Sequence, residues 1–142
     1  MARARGARPT VENVGFCFKD TILFDEDEFS DLILGLPAHI GCLIDIGHMI
    51  VNRWDAQRVV RALGSHIFSY HIHNNDGTRD GHRPPYEPGL LYTPAQMDAL
   101  FACMEAYSPD AEWILEYEPG PHISIESVRG DLRRMLELAG KA

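Results

Sequence analysis

Three carboxylates and one imidazole recur along this chain at a spacing that would bring them to one place. Glu12, Asp45, His73 and Glu116 follow one another at intervals of 33, 28 and 43 residues. Asp45 and Glu116 sit inside apolar runs, "CLIDIG" (42–47) and "WILEYE" (113–118), where a carboxylate is costly unless something uses it. Such a set cannot gather in a dry site without a compensating positive charge. A divalent cation would supply it. An oxygen-rich set with one nitrogen suits Mn²⁺, Co²⁺ or Mg²⁺ better than Zn²⁺, which gains when further histidines join. The stretch "YHIHNNDGTRDGH" (70–82) around His73 offers such histidines.

The elements that would position these residues follow from patterning. Four strand candidates, 10–16, 40–48, 66–74 and 112–118, are each followed by helix-like sequence, at 25–36, 54–64, 93–107 and 124–140. The first helix opens on an acidic turn and repeats Phe29, Leu32, Ile33 and Leu36 at helical spacing. Val59, Val60 and Leu63 give the second its apolar face, and Gly64 its stop. Thr93 and Pro94 suit the N-cap and first position of the third. Ser124 and Ser127 are both candidate caps of the fourth, which stops at Gly140. This rhythm predicts an α/β fold with a parallel sheet built from about four βα units. Functional side chains of such sheets collect at the C-terminal strand ends, where Glu12, Asp45, His73 and Glu116 all fall.

Bulk properties narrow the class. With 142 residues, 45% hydrophobic and 24% charged, the chain reads as one globular domain over 10–142 after a disordered lead-in at 1–9. The lead-in "MARARGARPT" is basic but lacks the apolar core of a signal peptide. A net charge of −8 argues against non-specific nucleic-acid binding. No apolar run approaches the ~18 residues of a membrane span. Cys17, Cys42 and Cys103 form no CxxC pair, so a reducing, cytoplasmic setting is the simplest expectation.

Five motifs, "VEN" (11–13), "IDIGH" (44–48), "HIHNND" (71–76), "DGH" (80–82) and "ILE" (114–116), occur here in the order seen in the xylose isomerase-like (β/α)8 superfamily. The resemblance runs from about Val11 to Leu138 and implies the C-terminal half of a TIM barrel. By that resemblance Glu12, Asp45, His73 and Glu116 are the metal ligands, His73 being preferred to His71 because it precedes the acidic Asp76 by three residues. His71 faces the same way by strand alternation and becomes a neighbour of the site or a core histidine. His48, in D-x-x-H with Asp45, and Arg79 resemble substrate-binding residues of ketose epimerases. Asp80 and His82 match the D-x-H that endonuclease IV relatives use for a further zinc. His71, Asp80 and His82 are thus candidates for a second metal or for groups orienting the first.

The implied function is a metal-dependent sugar or sugar-phosphate isomerase or epimerase. Its metal would stabilise charge on adjacent substrate oxygens while Glu12 and Glu116 take and return a proton at carbon. The alternatives are an endonuclease IV-like zinc phosphodiesterase and a non-catalytic metal-binding half-barrel. Four βα units leave two open sheet edges, so the expected partner is a second copy or an N-terminal half-barrel, with a small sugar as ligand.

Overall fold

Each helix of the expected series begins at a side chain that satisfies its first free amides. Asp25 accepts from the Asp27 and Glu28 amides while Glu28 reaches back to the Asp25 amide, which starts α1 (Glu26–Leu34). Thr93 and Gln96 form the same reciprocal pair at α4 (Pro94–Tyr107), and Ser124 with Ser127 at α5 (Ile125–Leu138). Asp55 caps α3 (Ala56–Leu63), which ends where Gly64 takes φ +47°, a conformation that side-chain-bearing residues resist. The computed structural model describes residues 7–15, 23–121 and 123–140, so Cys17 and residues 1–6 of the expected lead-in lie outside the described residues. Arg8 and Pro9 already touch the sheet: the Arg8 guanidinium covers the Phe68 ring and the Pro9 carbonyl accepts from the Gly41 amide.

Between the helices run β1 (Thr10–Glu12), β2 (Gly41–Asp45), β3 (Ile67–Ile72) and β4 (Glu112–Leu115). They form one parallel sheet in sequential order, β1-β2-β3-β4. The chain therefore has the α/β architecture expected, a four-strand parallel sheet alternating with helices. One element departs from expectation. The strand drawn through His48 ends at Asp45, and a short helix, α2 (Ile46–Val51), follows at once. The Asp45 carboxylate accepts from the His48 amide at 2.9 Å and so caps that helix.

The two faces of the sheet differ. Ile44, Tyr70 and Trp113 pair across it and pack with Cys42, Ile67 and Ile72 against Phe29, Val60, Leu100, Phe101 and Met104 of the helices. Tyr70 is fully buried and its hydroxyl lies 2.6 Å from Ser108 Oγ. The opposite face carries Glu12, Leu43, Asp45, His71 and Ile114, which pair in rows across the strands. It is only partly covered among the described residues: Asp45 is buried, Leu43 and His71 are half-buried, and Ile114 is exposed. Beyond β4 the helix α5 buries only Met135, leaving Leu132, Leu136 and Leu138 exposed beside a groove of about 190 Å³. The sheet is therefore covered by helices on one face, with Glu12, Asp45 and His71 on the other.

Candidate metal centre

Strand geometry brings two of the four predicted ligands, Glu12 and Asp45, together around one imidazole, and sets Glu116 against that imidazole. β1 ends at Glu12, β2 at Asp45, and Glu116 follows β4 with its amide bonded to the Ile72 carbonyl. The imidazole in their midst is His71. Its Nδ1 lies 2.7 Å from Glu116 Oε2, 3.8 Å from Asp45 Oδ2 and 4.0 Å from Glu12 Oε1. Donor atoms that each sit about 2.0–2.2 Å from one ion lie roughly 3–4 Å apart, so the Asp45 and Glu12 spacings fit a divalent metal, whereas Glu116 is in direct contact with the imidazole. Glu12, Asp45 and His71 offer donor atoms within 4.8 Å of one another. Asp45 is buried, whereas Glu12 and Glu116 are 43% and 41% exposed on the open face.

His73, the histidine expected in this set, stands behind it. β3 stops at Ile72, and the chain turns away through the Asn74–Arg83 bridge, so the next residue meets Asp45 from the buried side. His73 is fully buried, with Nε2 2.9 Å from Asp45 Oδ1 and 3.7 Å from Asp80 Oδ1. Its ring stacks on that of His82 at 4.0 Å.

A second group forms from the loop. His48 Nε2 and His82 Nε2 each lie 3.0 Å from Asp80 Oδ2, and the three residues offer donor atoms within 4.8 Å of one another. His82 holds φ +40°, a left-handed conformation that costs a residue with a side chain about 1–3 kcal/mol. Asp80 Oδ1 is buried without a hydrogen-bond partner, an acceptor that a cation would satisfy. Burial opposes protonation of His48, but the Asp80 hydrogen bond, the charge of Asp45 and the Asn13 carbonyl outweigh it and raise its pKa to about 9. Burial likewise works against the Asp80 carboxylate, yet the His48 hydrogen bond and the neighbouring histidines hold its pKa down at about 2. The two groups meet through shared atoms, since His48 Nε2 is also 3.8 Å from Asp45 Oδ2 and His82 Nδ1 3.9 Å from Glu116 Oε1.

Arg79 is exposed in the same loop, beside Asp76. No hydrogen bond or ion pair joins it to either group among the described residues. The proline-rich segment after His82 is an ordered connection. Asn74 Nδ2 donates to the Pro85 and Tyr92 carbonyls, the Leu91 backbone amide donates to the Asn75 carbonyl, and Tyr86 packs edge-on against Phe101.

Sequence patterning did not single out Asn13 or Gly47. Asn13 is buried, donates to the Asp45 carbonyl at 2.9 Å and accepts from the Asp45 amide at 2.7 Å. It locks β1 to β2 at the position of the ligand. Gly47 leaves the room that the His73 ring fills.

A four-stranded parallel sheet with its helices on one face is half of a (β/α)8 barrel. Solved structures bear this out. The chain is similar to the crystal structure of a D-tagatose 3-epimerase-like protein, with a TM-score of 0.70 and 18% identity. It is also similar to a putative xylose isomerase from Rhodospirillum rubrum, with a TM-score of 0.63 and 21% identity. Each match covers 99% of this chain but only 51% and 49% of those chains, so the chain spans about half their length. No protein-family model and no curated protein sequence matches it. Among the described residues no helix is long and apolar enough to cross a membrane.

Proposed function

We propose that the chain forms the metal-binding half of a sugar or sugar-phosphate isomerase or epimerase. The observation that carries this reading is the convergence of Glu12, Asp45 and Glu116 on His71 at the C-terminal end of a parallel sheet. Likeness to an epimerase-like and an isomerase-like structure supports it at the level of fold. Glu12, Asp45, His71 and Glu116 would hold a divalent ion, with Mn²⁺, Co²⁺ or Mg²⁺ favoured by the three carboxylates. When bound, the ion supplies Lewis-acid stabilisation of negative charge on substrate oxygens. Asp45, buried and pinned by Asn13 and the His48 amide, is suited only to hold position. Glu12 and Glu116 flank His71 from the outer ligand positions and face the open side. Their carboxylate oxygens can take a proton from a substrate carbon and return one. His48 and Arg79 remain the proposed substrate contacts, His48 at the site and Arg79 on the loop.

Catalysis would require the open face to be closed. The partly open face at His71 and Ile114, with the outer edges of β1 and β4 unpaired among the described residues, supports a partner half-barrel, either a second copy or a preceding half. Solution mass measured together with metal content tests both points. Metal in roughly stoichiometric amount supports the site, and a mass of two chains supports self-completion. Loss of Mn²⁺ or Co²⁺ binding on Glu116→Gln is the expected result, and unchanged affinity would count against the ligand set.

The His48–Asp80–His82 group favours a second reading, a zinc cluster serving phosphodiester hydrolysis. It requires more than one Zn²⁺ per chain and cleavage of abasic-site DNA. One ion at saturation removes it.

A further inference from the structure

His73 is a polar side chain at the centre of the site to which the proposed function gives no task. It is fully buried, and neither ring nitrogen completes a hydrogen bond, although Nε2 is in close ion-pair contact with Asp45 Oδ1. Leaving a buried polar atom unmet is costly, and an apolar ring in the same space would avoid that cost. The ring is also tightly held. It lies flat on His82 with 9° between planes, edge-on to His48, and against Gly47, where a Cβ would come within 1.8 Å of its Cε1. So held, Nε2 faces the gap between Asp45 Oδ1, at 2.9 Å, and Asp80 Oδ1, at 3.7 Å.

These two carboxylates are the ones that divide between the ligand groups. Asp45 turns Oδ2 toward His71, and Asp80 turns Oδ2 toward His48 and His82. In both, the Oδ1 atom looks back at His73. We propose that His73 is a positioning residue that holds the Oδ1 atoms of Asp45 and Asp80, so that each carboxylate presents its Oδ2 to one of the two ligand groups. This inference rests on the metal-site reading for its purpose, though not for its geometry. It requires the proton on Nε2, where a single N–H serves the near carboxylate and attracts the far one. Asp45 Oδ1 then lies between the His73 Nε2–H, in close polar contact, and the His48 amide, which donates to it at 2.9 Å. Partners that orient metal ligands in this way are worth about 10–100-fold in metal affinity.

The test compares His73→Gln, His73→Asn and His73→Phe in the full chain. Glutamine can place an amide N–H near the Nε2 position, asparagine cannot reach it, and phenylalanine fills the ring space without a donor. Two readouts are taken: Co²⁺ titration followed by visible absorption, and hydrogen exchange of the His48 amide in metal-free protein. The expected result is about 10-fold weaker Co²⁺ binding at both groups in the Phe and Asn variants, with faster exchange at His48. The Gln variant should stay close to the parent in both. Parent-like behaviour of both Phe and Asn variants overturns the proposal. Equal loss in all three, with a changed cobalt spectrum, overturns it in favour of His73 as a direct ligand. A parent chain that binds no Co²⁺ removes the metal-site reading, while the exchange readout still decides the role of His73. Should the Phe variant not fold, the Asn and Gln pair carries the comparison.

Discussion

The Asn13 side chain holds the Asp45 backbone by two hydrogen bonds, 2.9 Å from Asn13 Nδ2 to the Asp45 carbonyl and 2.7 Å from the Asp45 amide to Asn13 Oδ1. The side chain thereby replaces the ladder where β1 has already ended. Replacing Asn13 by Ala leaves a buried N–H and C=O unmet at Asp45, costing about 2 kcal/mol of stability. Urea denaturation should show that loss. Asn13→Asp should cost more, because its carboxylate would face the Asp45 carbonyl with no donor.

Gly47→Ala tests the packing of the site from the other side. A Cβ there would meet the His73 ring at 1.8 Å, closer than any side chain tolerates, so the ring must move. Overpacking of this kind costs roughly 1–3 kcal/mol. The expected outcome is a lowered melting temperature and loss of the His73–His82 stacking, seen as a shifted His82 ring resonance by NMR.

Glu116→Gln and Asp80→Asn should separate the two ligand groups. The first removes a charge 2.7 Å from His71 and should weaken the first metal at least about 10-fold, with little effect on the second. Asp80→Asn should do the reverse, since Asp80 Oδ2 is the atom common to His48 and His82. Calorimetric titration with Mn²⁺ and Zn²⁺ resolves the two.

The metal-free chain should carry a pH signature of the His48–Asp80 pair. His48 has its pKa raised to about 9, so its stabilisation is complete below the unfolded value near 6.5 and is lost as pH rises through 9. Asp80 has its pKa lowered to about 2, so its contribution is complete above the unfolded value near 3.8 and is lost as pH falls through 2. Thermal melts should therefore be highest between about pH 4 and 6.5, and His48→Asn should flatten the alkaline side. The same proton competes with metal, so binding at His48 should tighten as pH rises from 7 toward 9.

A control lies across the sheet. Tyr70→Phe removes the buried contact to Ser108 Oγ, which still donates to the Met104 carbonyl. It should cost about 1 kcal/mol and leave metal affinity unchanged.

The βα rhythm was readable because strands and helices were punctuated by chemistry: Thr93 before Pro94, Ser124, an acidic opening at Glu26, Gly64 at a stop. The short helix α2 was not, since "IDIGHMIV" is apolar throughout and periodicity does not separate strand from helix in such a run. What decides it is the Asp45 carboxylate accepting from the His48 amide. The carboxylates of the site were legible as misfits in apolar strands. His71 and His73 were not separable by pattern, because residues two apart share a strand face. The distinction lies in where β3 stops, after Ile72, and a stop of that kind is set by the Asn74–Arg83 bridge in the loop. Asn13 left no signal of its own, because an asparagine after a strand reads as a turn residue.

Strand order in the sheet equals strand order in the sequence, and every ladder joins one strand to the next. No pairing has to wait for a distant segment, so each unit can dock on the one made just before it as the chain is synthesised. Among the described residues β4 pairs on one side only, with β3, so its other edge has the geometry to accept a further parallel strand. A molecule built this way gains or loses length in whole units at its ends, without rearrangement of the residues that already hold Asp45 in place.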